Sequence, residues 1–313
     1  MGVEQLRVTV VGACHLDRKA RAAAPYVDGA SNPVTVESCP GGVARNVAEN
    51  LGRLGTEVAL VTRLGADAEG AALLRALEEL PLDPALDLRG VSRSESAPTA
   101  FHLIALQPDG EMLVAVADMR VYDEITPALL EALPPSFWAA EAVVADCNLP
   151  AETLAFLADL RQKGGTRLAA IGVSPAKALR LRPHLAACDL LVVNRREAAV
   201  LAGLDPEAGT PQELAEALRA AGAGEVVITL GGDGICLAGA GEVLRLANPE
   251  GRLVDVTGAG DALAAAYLAA RLKGRGLERA AREALAAARL TVETAESVAR
   301  ELTPERLEQM SEL

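Results

Sequence analysis

Asp255-Val256-Thr257-Gly258-Ala259-Gly260-Asp261 runs directly into Ala262–Leu272, a stretch of small and apolar residues. Small residues at 258–260 let the backbone turn tightly and present its N–H groups. A helix opening there adds its dipole, so the turn favours a phosphate or a developing anion. Asp261 sits just inside that pocket. A carboxylate there can take a proton from an attacking hydroxyl while the turn stabilises the transferring group. An isolated Gly-Ala-Gly-Asp is equally a tight turn with a first-turn acid matching the dipole. Its place late in an α/β chain favours chemistry.

The rest of the chain supplies that setting. Leu6–Ala13 reads as a buried strand, Val43–Leu54 as a helix ending near Gly55, Glu57–Thr62 as a strand and Ala68–Leu80 as a helix stopped by Pro81. The rhythm resumes with strands at Glu141–Ala145, Arg167–Val173, Asp189–Val193 and Glu225–Leu230. Between them lie helices at Ala151–Lys163, Arg196–Gly203 and Pro211–Ala221. Ile235–Ala238 and Glu242–Ala247 form a hairpin, and Asp261–Leu272 and Leu277–Ala295 are Ala-rich helices. Such alternation predicts an α/β fold, a doubly wound and mostly parallel sheet flanked by helices. Two stretches, Ala22–Cys39 and Ala97–Asp118, read instead as β-ribbon, the second turning at Pro108-Asp109-Gly110. One domain over 1–313 is expected, with a small lid from about 14–40 and 97–120 over the carboxyl ends of the strands, where ligands bind in this architecture.

Composition narrows the function. The chain has 313 residues, 30 Lys plus Arg against 43 Asp plus Glu, and a net charge of −13. Half the residues are apolar but only 2% aromatic, so Ala, Leu and Val must build the core. No basic stripe fits a nucleic acid polymer. The apolar run Ala262–Ala270 falls well short of the roughly 18 residues that span a membrane. Met1–Arg7 has no leader pattern. Five scattered cysteines fit a reducing cytoplasm better than disulfides or zinc. There is no GxxxxGK[ST], and no GxGxxG follows the first strand, which disfavours P-loop kinases and dinucleotide enzymes.

Other segments could carry chemistry. Gly41-Gly42 before the helix Val43–Leu54 permits close approach of a ligand, with Arg45 and Asn46 as donors. Asn194 and Glu197 stand one turn apart after a strand and could orient a water-ligated Mg²⁺, or could form a capping box. Thr229-Leu230-Gly231-Gly232-Asp233-Gly234 could wrap a nucleotide or make a hairpin turn.

As an ordered set, GGVARN at 41–46, NRRE at 194–197, TLGGDG at 229–234 and DVTGAGD at 255–261 resemble the ribokinase-like, phosphofructokinase-B-type family of carbohydrate and nucleoside kinases. The resemblance covers nearly the whole chain. It implies Asp261 as catalytic base and the backbone of Gly258, Ala259 and Gly260 as anion hole. It implies ATP held by Asn194, Thr229, Gly231, Gly232 and Gly234, and Mg²⁺ served through water by Glu197. Asp255 and Thr257 lie where many members bind a monovalent cation, usually K⁺. Asp17 falls where members bind sugar hydroxyls, and Gly41, Gly42, Arg45 and Asn46 lie on the acceptor side.

Within the family the chain looks most like the pseudouridine kinases. Ala30-Ser31-Asn32-Pro33, the stretch 41–55, Gly110–Met119 and Val144–Asn148 carry that likeness. It implies transfer of the ATP γ-phosphate to the 5′-hydroxyl of pseudouridine, with Ser31, Asn32, Asp118 and Asn148 near the nucleoside. Ser31-Asn32-Pro33 also fits ordinary turn chemistry, Asp118 a strand-end acid, and Asn148 a loop before a helix. Two positions depart from close relatives: His15 stands where they carry Asn, and Ile171 or Gly172 where they carry an acid. His102 and His184 read as structural or surface residues. The alternatives are a kinase for another nucleoside or sugar, or an inactive binding protein of the same fold. A homodimer through the lid ribbons is expected, as their edges could pair with a second copy.

Overall fold

The computed structural model describes residues 6–311. Most of Met1–Arg7, on which the expectation of no leader rests, lies outside the described residues, as do 312–313.

In chain order the elements are β1 (Arg7–Val11), β2 (His15–Ala22), β3 (Val34–Gly41), α1 (Val43–Arg53), β4 (Glu57–Gly65), α2 (Ala68–Glu78), β5 (Asp87–Ser94), β6 (Phe101–Leu106) and β7 (Met112–Asp118). Then come α3 (Pro127–Glu131), β8 (Ala142–Asp146), α4 (Ala151–Gln162), β9 (Arg167–Ile171), α5 (Pro175–Ala178), β10 (Leu190–Asn194), α6 (Arg195–Leu201), α7 (Pro211–Ala220) and β11 (Glu225–Thr229). The chain closes with β12 (Ile235–Gly239), β13 (Glu242–Leu246), α8 (Ala259–Leu272), α9 (Leu277–Val292) and α10 (Pro304–Ser311).

The main sheet runs β13-β12-β11-β10-β9-β8-β1-β4-β5. Strands from β11 to β5 are parallel, and β12 and β13 add an antiparallel edge. Buried on both faces, its central strands are nearly continuous Val, Leu, Ile and Ala. Along β1, Val8 and Val10 point to a core shared with α1, α2, α8, α9 and α10. Val11 points to the other core, shared with α4, α6 and α7. The order reverses between β1 and β8, and such a switch point opens a crevice at the strands' carboxyl ends.

Two helix starts face that crevice, and both need glycine. Gly42, the N-cap of α1, has φ 99°, and a Cβ there would lie 2.4 Å from the Ala13 carbonyl oxygen. Gly258, the N-cap of α8, has φ 82°, and a Cβ would lie 1.9 Å from the Ser297 carbonyl oxygen. From Ala262 to Ala270, α8 is buried all round. It packs on α1, whose inner face includes Ala44, Val47 and Ala48. Methyl-sized side chains let the two axes approach closely.

The two ribbons form one sheet of order β3-β2-β6-β7. From sequence the first ribbon is expected to begin at Ala22. Instead β2 starts at His15, and its parallel pairing with β6 joins the ribbons. The charged sequence of β2, HLDRKARA, conceals its alternation. Directly opposed residues share a face. Asp17, Cys39 and His102 therefore point one way. Val36, Ala20, Ala105 and Val114 point the other way, with Val34, Leu103 and Val116. Edge strand β5, also unforeseen, pairs with β4 through the polar sequence DLRGVSRS.

Candidate active site

Asp261 occupies the first turn of α8, whose leading N–H groups lack intrahelical acceptors. Its carboxylate is set deep among protein atoms while the residue keeps some solvent contact. Burial pushes its pKa up to about 7. The Asn46 hydrogen bond and the Arg45 charge oppose that rise, and the Asp146 and Asp17 charges add to it. Asn46 Nδ2 donates to Asp261 Oδ2 at 2.8 Å. A carboxylate poised near neutrality suits a general base.

Asn46 is itself held. Its Oδ1 accepts from Arg45 Nη1 at 3.0 Å and Ser297 Oγ at 3.3 Å, which fixes the amide so that Nδ2 faces Asp261. Arg45 points inward, bonding Glu49, Ser297 and the Pro40 carbonyl. Glu49 also accepts from Arg53. The donor that the sequence offers to a ligand is here spent on positioning Asn46.

Asp17 sits between two histidines. Its Oδ1 is 3.3 Å from His15 Nε2 and 3.5 Å from His102 Nδ1. Burial alone would raise its pKa, but hydrogen bonds from His102 and His15 outweigh it and hold the carboxyl well below the usual range. His102, read from sequence as structural or surface, belongs to this cluster, because β6 pairs Asp17 directly with it. His15 Nδ1 lies 3.2 Å from the Tyr122 hydroxyl, which donates to the Cys14 carbonyl at 2.9 Å. A Cβ at Gly41 would lie 2.0 Å from Asp17 Oδ2.

Asp146, at the end of β8, closes the switch point. It accepts from Ala13 N at 2.7 Å, Ala44 N at 3.2 Å and Asn148 N at 2.7 Å. One carboxylate thus joins the exit of β1, the start of α1 and the loop after β8. Sequence reasoning quoted Asp146 without giving it a role; its place at the end of a buried run was the available signal. Asn148 accepts from Lys177 Nζ at 2.6 Å, and Arg180 bonds the Leu149 carbonyl.

On the other side, a cleft of about 540 Å³ brings Thr229, Gly231, Gly232 and Gly234 together with Ala259 and Gly260. Leu253, Val256 and Val292 give it an apolar wall, and Asn248 borders it while donating to the Gly231 carbonyl at 2.7 Å. None of these four was singled out from sequence. Asn194 stands beside Thr229 in register. Asn194 and Glu197 form the capping box: Asn194 N and Nδ2 donate to Glu197 at 2.9 and 2.7 Å, and Glu197 N donates back at 3.0 Å. Burial raises the Glu197 pKa against these bonds. Among the described residues no cluster of three or more His, Cys, Asp or Glu could hold a metal ion. One carboxylate with lone pairs left for water fits Mg²⁺ carried by a nucleotide, not an all-protein cage.

At the positions expected to hold a monovalent cation stands a basic side chain of the protein itself. Lys19 forms an ion pair with Asp255, and its Nζ lies 3.5 Å from Thr257 Oγ1. Thr257 N and Oγ1 donate to Asp255 Oδ1 at 2.9 and 2.7 Å. Three other positions are not drawn into the cluster. Asn32 spends its amide on Val27 and Ala30. Ser31 is exposed in the same turn. Asp118 is bound to its neighbour Arg120.

The fold and the family together support a phosphotransferase with an alcohol group as acceptor. The family model described as pfkB family carbohydrate kinase matches residues 5–303. The chain belongs to that family. It is 31% identical over 264 residues to a pseudouridine kinase of Escherichia coli, covering 82% of this chain and 81% of that protein. It is 29% identical over 290 residues to an uncharacterized sugar kinase of the same organism, covering 92% and 78%. A carbohydrate kinase from Agrobacterium tumefaciens superposes with a TM-score of 0.83 at 33% identity, covering 99% and 98%. Arabidopsis thaliana ribokinase complexed with ribose and ATP shares the fold, with a TM-score of 0.82 at 23% identity over 99% of both chains. No helix among the described residues is long and apolar enough to cross a membrane.

Proposed function

We propose that this protein is an ATP-dependent kinase that phosphorylates the 5′-hydroxyl of pseudouridine. The observation that carries the chemistry is the Asn46–Asp261 hydrogen bond at the start of α8. It aims a carboxylate poised near neutrality beside the backbone N–H groups that open α8, of which Ala259 N donates weakly to the Val256 carbonyl at 3.3 Å. Asp261 takes the hydroxyl proton, and the 258–260 backbone stabilises charge on the transferring group. Asp17, fixed by His15 and His102, orients the acceptor through its ribose hydroxyls. ATP lies in the cleft of Thr229, Gly231, Gly232 and Gly234, its base against Leu253, Val256 and Val292. Mg²⁺, bound with the nucleotide and reached through water from Glu197, supplies positive charge at the phosphates.

The 31% identity with a pseudouridine kinase supports the acceptor. Few rings are available to stack on a base, so polar groups and aliphatic packing recognise it. The four-stranded sheet acts as the lid, excluding water during transfer. Its outward valines, Val36, Val114 and Val116, are about half exposed and support a homodimer through the lids. A reducing cytoplasm suits the five free thiols.

Initial rates with pseudouridine, uridine, cytidine, inosine, adenosine and ribose test the acceptor. Pseudouridine is expected to give the highest kcat/KM. Preference for another member of the panel sinks the pseudouridine assignment while leaving the kinase. Absence of acceptor-dependent ADP release across a broad panel of sugars and nucleosides sinks both.

A further inference from the structure

We propose that the Lys19 ammonium takes the place of the monovalent cation at Asp255 and Thr257, so that the protein needs no added K⁺. Lys19 lies on β2 two residues beyond Asp17, hence on the same face of the sheet. It reaches out of that sheet to a partner 236 residues away. Asp255 divides its oxygens: Oδ1 accepts from Thr257 N and Oγ1, and Oδ2 receives the ammonium. The carboxylate already carries a positive partner. A second cation on the same oxygens would meet a like charge at close range.

The turn is also braced from behind. Val254 N and Asp255 N both donate to the Val292 carbonyl, at 2.7 and 3.2 Å. With Lys19 in front, the turn leading to the anion hole is clamped on two sides. The same strand carries Asp17, so one side chain ties the acceptor-binding sheet to the phosphate-binding turn. Lys19 is thus a positioning residue. Its assignment rests on the proposed kinase reading only where turnover is measured.

The test compares wild type, Lys19→Met and Lys19→Arg in KCl and in choline chloride at equal ionic strength. Thermal melting is read first, then turnover with ATP, Mg²⁺ and pseudouridine. Wild type and Lys19→Arg are expected to melt alike in both salts. Lys19→Met is expected to melt about 2–4 °C higher in KCl, because the emptied carboxylate now binds the ion. KCl should raise its kcat roughly tenfold with the nucleoside KM within about twofold. A K⁺-specific rise in melting or turnover of wild type overturns the proposal. So does a Lys19→Met protein that ignores K⁺. If Lys19→Met does not fold, wild type and Lys19→Arg still decide the matter. If pseudouridine is not the acceptor, the melting comparison stands without it.

Discussion

In the proposed kinase site, the acceptor and nucleotide halves of the cleft hold several of their glycines for opposite purposes. On the acceptor side, a Cβ at Gly12, Gly41 or Gly42 would lie 2.2 Å from Asp146, 2.0 Å from Asp17 or 2.4 Å from the Ala13 carbonyl. These glycines make room for the protein's own groups. On the nucleotide side, a Cβ at Gly234 or Gly258 would meet the Leu246 or Ser297 carbonyl oxygen, but nothing lies within 4 Å of one at Gly231, Gly232 or Gly260. On the proposed reading the acceptor half is preorganised by its own carboxylates, whereas the nucleotide half keeps open space for its ligand to complete.

The sharpest attack on this contrast is Asp261→Asn. Loss of the base should lower kcat by about 10²–10⁴-fold, with nucleoside affinity in calorimetry nearly unchanged. Near-normal turnover would remove Asp261 from the mechanism. Next is Gly41→Ala. The atoms nearest the added methyl all belong to the Asp17 side chain and not to backbone, so the fold should persist while that carboxylate is displaced. Losing a hydrogen bond to a charged group costs about 1.5–3 kcal/mol, hence roughly a 10- to 150-fold fall in kcat/KM for the acceptor, with the ATP KM little changed. An equal loss on the ATP side would break the division between halves.

A pH series sharpens it further. Asp261 titrates at about 7 in the folded protein, against an ordinary 3.8. Between those values the native state holds a proton that the unfolded chain lacks. The stability this confers is complete below the lower value and lost as pH rises through about 7. Asp261→Asn, uncharged throughout, should melt higher than wild type at pH 8, by about 2–4 °C, and the gap should close toward pH 4. A gap independent of pH would refute the charge argument. The same group should set the acid limb of wild-type kcat/KM near pH 7. The smallest effect is expected from Gly232→Ala. Stability should stay within about 0.5 kcal/mol, while the ATP KM rises a few-fold and the acceptor KM holds. Marked destabilisation would mean that this half, too, is filled by the protein itself.

The main sheet was legible because its strands are short apolar runs punctuated by turns, and the structure keeps those elements with small changes at their ends. The turn at 255–261 was legible as a helix start because small residues run there into an apolar stretch. What escaped was pairing between distant polar strands. Edge strand β5 carries charges along its length, and β2 hides its alternation among Arg and Lys. The same blindness concealed His102, which meets Asp17 only because β2 and β6 lie side by side. Lys19 and Asp255 are 236 residues apart, and no local pattern could have joined them. Asn32 and Glu197 show the reverse limit. Their local readings, turn and cap, are what the structure displays, and any further service to a ligand is not written in their spacing.

The alanine-lined seam between α1 and α8 has a consequence for how such a protein can change. Asn46 and Asp261 ride on opposite sides of that seam, so the separation of two helix axes sets the length of the hydrogen bond between them. A bulkier side chain in that seam would act as a spacer, moving the amide from the base without touching either. Selection for catalytic speed thus reaches methyl groups that no substrate meets. The scarcity of large rings in the chain becomes a tolerance limit on its machinery.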